Sequence, residues 1–131
     1  IEEVPRILAN EARLAQVMVN LLMNAMQALP ARPVRDNRIV IAARADSRHV
    51  TIEVRDNGQG ISEENLRHIF DPFFTTKPVG EGMGLGLSIC NSIIIAHGGR
   101  IDVESALGAG SAFRIVLPVA STPATRRRAS L

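Results

Sequence analysis

Two hydrophobic periods divide the chain. Over residues 10–29, Leu14, Val17, Met18, Leu21, Leu22, Ala25 and Leu29 recur every three or four positions, and Val19, Met23 and Met26 extend this apolar face around the back. That spacing predicts an amphipathic helix, with Asn10 as N-cap and Pro30 as stop. Residues 39–45 and 49–56 change to period two. Val50, Ile52 and Val54 alternate with Thr51, Glu53 and Arg55, as in a strand with one buried face. Ser62 is placed to cap a short helix reaching about residue 69, and a loop rich in Gly, Pro, Thr and Phe follows over 70–84. A second long helix is expected from 85 to 97, ended by Gly98 and Gly99. Strands at 100–105 and 111–118 flank a turn containing Gly108 and Gly110, residues 4–9 read as a short edge strand, and 30–38 as a loop. Strand pairs adjacent in sequence and separated by helices argue for an α+β two-layer sandwich, not an alternating parallel α/β fold.

Composition narrows this further. The 131 residues suffice for one domain with its own core, 46% are apolar, and with four Phe and no Trp or Tyr that core must be aliphatic. After Pro118 the chain turns to Ala, Ser, Thr, Pro and Arg, so residues 119–131 are expected to be a disordered basic tail. The formal charge of +2 depends on Arg126, Arg127 and Arg128 in that tail, and the remainder is slightly acidic. A nucleic-acid face needs positive charge on the fold itself, so nucleic acid is not an expected partner. The tail sequence Arg126 to Leu131 resembles a basophilic protein-kinase substrate, but is read in the first place as a solvated basic end. Cys90, alone in an apolar stretch, fits a reducing compartment and a place in the core. No apolar run approaches the ~18 residues of a membrane span, so this piece is expected to be soluble and cytoplasmic, without membrane contact of its own. Ile1 in place of Met suggests a piece of a longer parent, which has room for a membrane anchor elsewhere.

Four segments carry candidate chemistry. On the first helix a narrow stripe holds Arg13, Gln16, Asn20, Asn24 and Gln27. Asn is a poor helix former, so two on one stripe cost stability. Their amide oxygens are hard, neutral ligands suited to a Mg²⁺ ion that already carries phosphate oxygens and water; a polar stripe packed under a loop would look the same. Asp56-Asn57-Gly58-Gln59-Gly60 directly follows a buried strand. A carboxylate there can accept a hydrogen bond from an exocyclic amine, while the glycines let a ring approach the backbone, a pairing that favours adenine over guanine. Gly80, Gly82, Gly84 and Gly86 alternate into the second long helix. Such a loop offers phosphates free N–H groups and the positive end of a helix dipole, yet it is neither a Walker A loop nor a dinucleotide fingerprint. Between these segments, Phe70, Phe73 and Phe74 read as anchors for a loop that presents Lys77 as a candidate phosphate contact. His49, His68 and His97 show no catalytic context; His97 reads as a cationic cap at a helix C-terminus.

In order along the chain, these segments resemble the motifs of sensor histidine kinases. Asn20 to Ala25 is similar to the N-box, Asp56 to Gly60 to the first glycine box, Phe70 to Lys77 to the F-box, Gly82 to Leu87 to the second glycine box, and Gly108 to Phe113 to the last motif. The likeness covers about residues 4–118, and Phe73 to Lys77 looks most like the nitrogen-regulation, oxygen-sensing and dicarboxylate-sensing branch. It implies a Bergerat-type ATP-binding fold: a mixed sheet with helices on one face and a lid over the phosphates. Carried over by position, Asn24 would coordinate Mg²⁺ with support from Asn20. Asp56 would take the adenine amine and Gly58 and Gly60 the ring, with Ile61, Phe70, Thr76, Met83, Leu85 and Leu87 lining the nucleotide. Lys77, Gly82, Gly84 and Gly86 would face the phosphates. Ser111 stands where relatives usually have Thr and keeps the hydroxyl; Gln27 stands where many have a basic or aromatic residue, which leaves more of the phosphate contact to Lys77.

The resemblance also implies what must come from elsewhere. In this family the accepting histidine lies on a separate dimerisation and phosphoacceptor domain, and no histidine here has that context. The expected activity is therefore that of the kinase half that holds ATP and presents its γ-phosphate, with a response regulator as an indirect partner. The rivals are gyrase-, Hsp90- or MutL-like ATPases and anti-sigma serine kinases. These carry a Glu one turn before the metal-binding Asn, where this chain has Asn20, and an amide cannot take a proton from water.

Overall fold

A computed structural model describes residues 10–31, 33–75 and 85–119. The first element, α1, spans Glu11–Ala28, and Asn10 caps it by accepting the Arg13 N–H at 3.1 Å. Capping of this kind satisfies one of the four N–H groups that have no partner inside a helix. Leu29 turns extended before Pro30 and ends the helix. Val17, Leu21 and Ala25 are fully buried, and Leu14, Met18 and Leu22 pack against the same core. Val19, Met23 and Met26 do not extend this face. They lie about half the helix circumference away and stand 48–57% exposed, because the sheet covers only one side of α1.

Strands β1 (Ile39–Ala45), β2 (His49–Asp56), β3 (Arg100–Ala106) and β4 (Gly110–Pro118) form one sheet ordered β1-β2-β4-β3, with each of these pairings antiparallel. On its inner face Ile52 and Val54 of β2 meet Phe113, Ile115 and Leu117 of β4 and Ile101 and Val103 of β3. Helix α3 (Gly86–Ala96) adds Cys90, Ile93 and Ile94, so α1 and α3 form one layer over the sheet. Each fully buried aliphatic side chain contributes about 1.5–3 kcal/mol. The outer face carries ion pairs: Arg114 donates to Glu53 and to Glu104, both at 2.7 Å, and so links β4 to both neighbours. The two-layer α+β sandwich expected from the sequence is the observed architecture.

The two helices are also tied at one end. His97 follows α3; its Nε2 accepts the Asn10 N–H at 3.0 Å, so Nδ1 carries the proton that it donates to the Ile93 carbonyl at 2.7 Å. The residue caps α3 as expected, and its second ring nitrogen also serves the N-terminus of α1. Other boundaries differ slightly. Helix α2 is a single turn, Glu63–Leu66, capped by Ser62. Residues expected to continue it form turns instead, with the His68 N–H on Asn65 and the Asp71 N–H on His68. The expected strand at 4–9 and the tail from residue 120 lie outside the described residues. Among those described, no helix is long and apolar enough to cross a membrane.

Phe113, the largest fully buried side chain, sits at the centre of the core. Phe113→Ala should lower the unfolding free energy by about 3–5 kcal/mol, measured by urea denaturation. A loss under about 1 kcal/mol would place the core elsewhere.

Candidate functional site

The inner face of the sheet changes character at one end. Along β2, Val50, Ile52 and Val54 give way to Asp56; along β4, Leu117, Ile115 and Phe113 give way to Ser111; along β3, Ile101 and Val103 give way to Ser105. The register pairs Asp56 with Ser111 and Ser111 with Ser105. One polar row therefore crosses three strands where the aliphatic core stops.

Asp56 is only 4% exposed. Its Oδ1 accepts the Gly58 N–H at 2.8 Å, and the Ser111 N–H donates to the carboxylate as well. Burial nevertheless pushes its carboxyl above the ordinary aspartate range, outweighing both backbone donors. A buried acceptor whose ionised form is under-solvated gains from any ligand that brings an N–H to it.

The loop after Asp56 is held on every side. Asn57 bonds its N–H to the Arg38 carbonyl and takes the Arg38 N–H on its side chain. The Gln59 N–H reaches the Ala28 carbonyl at 3.0 Å, the Gln59 carbonyl accepts from Gly108, and the Ile61 N–H donates to Ser105 Oγ at 2.8 Å. Gly58 is obligatory here, because a Cβ would lie 2.3 Å from the Ala28 oxygen. Gly60 is doubly constrained, with φ at +77° and a Cβ position 2.0 Å from the Ala106 oxygen.

This contact joins the glycine loop to α1. Ala28, Asn24 and Asn20 are spaced four residues apart and lie along one side of that helix. Asn24 and Asn20 are half-buried, and Asn24 is one turn from the point where Gly58 packs. The Asn20 side chain shares a hydrogen bond with Cys90 across the α1–α3 interface. Burial raises the Cys90 thiol, against that bond and one from its own backbone, so the cysteine is the unreactive core residue expected.

The F-box divides. Phe70 and Phe74 pack against the core, but Phe73 takes φ of +68° and stands 67% exposed. The left-handed backbone turns it away, so two phenylalanines anchor the loop where three were expected. Ile61 and Leu87 also pack on the core, Leu85 precedes α3, and Gly86 opens it with clear space around its Cβ position. Thr76, Lys77, Gly82, Met83 and Gly84 lie outside the described residues. The described residues hold no cluster of His, Cys, Asp or Glu able to bind a metal unaided. An Asn24 amide is compatible with Mg²⁺ only if phosphate oxygens complete the set. Ser105 was missed by the motif reading. Its signal is visible once strands are paired: it is the polar residue two positions beyond Val103, in register with Ser111.

A buried carboxylate at a strand end and a pinned glycine loop thus stand beside an amide-bearing helix in a two-layer α+β domain. The chain belongs to the family of histidine kinase-, DNA gyrase B- and HSP90-like ATPases, which matches residues 9–121. It is 43% identical over 126 residues to the C4-dicarboxylate transport sensor protein DctB of Pseudomonas aeruginosa, covering 92% of this chain and 20% of that protein. It is also 43% identical to the sensor histidine kinase ZraS of Escherichia coli over 118 residues, covering 90% of this chain and 24% of the relative. The chain thus spans about a fifth to a quarter of the curated relatives it matches. Among solved structures, the catalytic domain of histidine kinase ThkA is similar with a TM-score of 0.76 and 37% identity, covering 90% of this chain and 75% of that one.

The raised Asp56 carboxyl sets a pH dependence. A folded-state value above the ordinary 3.8 means that the native state holds this proton more tightly than the unfolded state does. The unliganded fold therefore loses stability as pH rises through the interval between the two values. Asp56→Asn should remove that contribution, so its stability relative to wild type should improve as pH rises through that interval and then level off. Thermal denaturation of both proteins across pH checks this, and a difference independent of pH refutes it.

Proposed function

We propose that this domain is the nucleotide-holding half of a protein-histidine kinase. It binds Mg²⁺-ATP and presents the γ-phosphate to a histidine on a dimerisation and phosphoacceptor domain of the same parent, from which a response regulator takes the phosphoryl group. The reading rests first on α1. Its carboxylate complement is Glu11 alone, about 20 Å along the helix from Asn24 at 1.5 Å per residue. The position one turn before Asn24 is an amide engaged with Cys90. Nothing on this helix face can take a proton from water, which favours holding ATP for a nucleophile brought from outside over hydrolysing it. The likeness to named sensor histidine kinases points the same way.

In this reading Asp56 accepts the exocyclic amine of adenine, and Gly58 and Gly60 border the ring. Asn24 provides an amide oxygen to Mg²⁺, with Asn20 supporting the helix face beside it. Gly86, which opens α3, together with Gly82, Gly84 and Lys77, meets the phosphates. The metal, when bound with ATP, neutralises phosphate charge.

Calorimetry with and without Mg²⁺, paired with a phosphate-release assay, tests the proposal. ATP should bind in a Mg²⁺-dependent manner with negligible turnover, and Asn24→Ala should weaken that binding by about tenfold or more, as expected for loss of a contact to a charged group. The full parent kinase carrying Asn24→Ala should lose histidine phosphorylation. Rapid turnover by the wild-type domain, or unchanged Mg²⁺-dependent binding by the variant, overturns the assignment.

A further inference from the structure

Ser105 lies in none of the residues that the nucleotide reading uses, yet its hydroxyl is the meeting point of three segments. Its Oγ accepts the Ile61 N–H at 2.8 Å, donates to the Gly110 carbonyl at 3.0 Å, and lies 2.7 Å from Ser111 Oγ. A serine hydroxyl has one proton and two acceptor sites. With the proton committed to Gly110 and one acceptor site to Ile61, the remaining bond must be made by the Ser111 proton. Ser111 Oγ is then left with acceptor capacity only. It lies beside Asp56 in the polar row, buried at 5% exposure.

We infer that Ser105 is a positioning residue for base selection: it fixes the Ser111 hydroxyl as an acceptor, so that Asp56 and Ser111 together present an acceptor-only wall to the base. Such a wall receives the two hydrogens of an exocyclic amine, directly or through a water that donates to it. It opposes a ring carbonyl at the same place, because two acceptors cannot share a proton that neither carries. The inference deepens the adenine assignment and rests on the role given to Asp56. It also explains why the Gly108–Gly110 turn is held so closely against the glycine loop. The turn carries the Gly110 carbonyl that takes the Ser105 proton, and Gly110 (φ +83°) has no room for a side chain, its Cβ position being 2.1 Å from the Asp56 oxygen.

The discriminating pair of ligands is ATP and inosine triphosphate, in which the exocyclic amine is replaced by a carbonyl and the adjacent ring nitrogen, an acceptor in adenine, carries a hydrogen. Both are titrated with Mg²⁺ into the whole chain as wild type, Ser105→Ala, Ser105→Cys and Ser105→Thr. Removing the Ser105 hydroxyl frees the Ser111 proton to turn toward the base and donate to a carbonyl. The ATP-to-inosine-triphosphate affinity ratio should then fall by about fivefold, the worth of one neutral hydrogen bond. Ser105→Cys, close to serine in shape and a weak donor, should move the ratio the same way if Ser105→Ala fails to fold. Ser105→Thr keeps the hydroxyl and should hold the ratio at the wild-type value. If both nucleotides weaken in parallel with the ratio unchanged, Ser105 is merely structural and the inference is overturned. A wild-type protein with no preference for ATP would instead remove the Asp56 assignment, and this inference with it.

Discussion

The antiparallel register between β2 and β4 decides where the aliphatic core ends and the polar row begins. Because side chains alternate across a strand, the pairing that sets Val54 opposite Phe113 also sets Asp56 opposite Ser111. A slip of one residue would turn the whole aliphatic column outward and leave the carboxylate on the wrong face. Burial of that column therefore enforces the position of the polar row, and the site needs no separate device to place it. The outer face reinforces the same choice, since Arg114 reaches Glu53 on β2 and Glu104 on β3 in this register. Exposed ion pairs contribute little to stability singly. Their value here is in penalising the alternatives.

The second constraint is the junction of α1 with the glycine loop. Helix ends leave carbonyls without internal partners, and at α1 the Ala28 carbonyl takes the Gln59 N–H. That one bond fixes the height of the loop against the helix, and hence the distance along α1 from the polar row to Asn24. It also requires glycine at 58. The helix is poor in charge, with none from Leu14 to Ala28, and its two asparagines oppose helix formation. It is held by packing of Val17, Leu21 and Ala25, not by intrinsic propensity.

Much of this was readable from sequence because the informative residues lie at regular spacing. The helix cap at Asn10, the alternation of Val50, Ile52 and Val54, and the glycines after Asp56 each reflect local geometry, and local geometry leaves a local trace. What was not readable depends on partners distant in the chain. Ser105 acts through Ile61, 44 residues away, and His97 through Asn10, 87 away. Nothing near His97 says that its ring accepts an N–H from the cap of another helix. Phe73 looked like its two neighbours until the left-handed backbone turned it outward. The exposure of Val19, Met23 and Met26 was hidden for a related reason: periodicity shows that a stripe is apolar, and only the sheet's position shows which stripe is covered.

The site's least favourable feature is also its most telling one. Burying Asp56 disfavours its ionised form in the absence of ligand, and the two backbone donors do not compensate fully. A residue selected for stability alone at the end of β2 would be another valine or threonine, because the column it terminates is apolar and the adjoining turn is already pinned through Asn57 and Gln59. The carboxylate thus stores an unmet demand for a donor beside the glycine loop. On α1 the proposed reading runs the other way, with amides at Asn20 and Asn24 and no carboxylate after Glu11 to activate water. In the proposed reading, recognition at the base end and withheld chemistry at the phosphate end belong together. A domain proposed to keep ATP intact until an acceptor arrives gains from the first and would be spoiled by the reverse of the second.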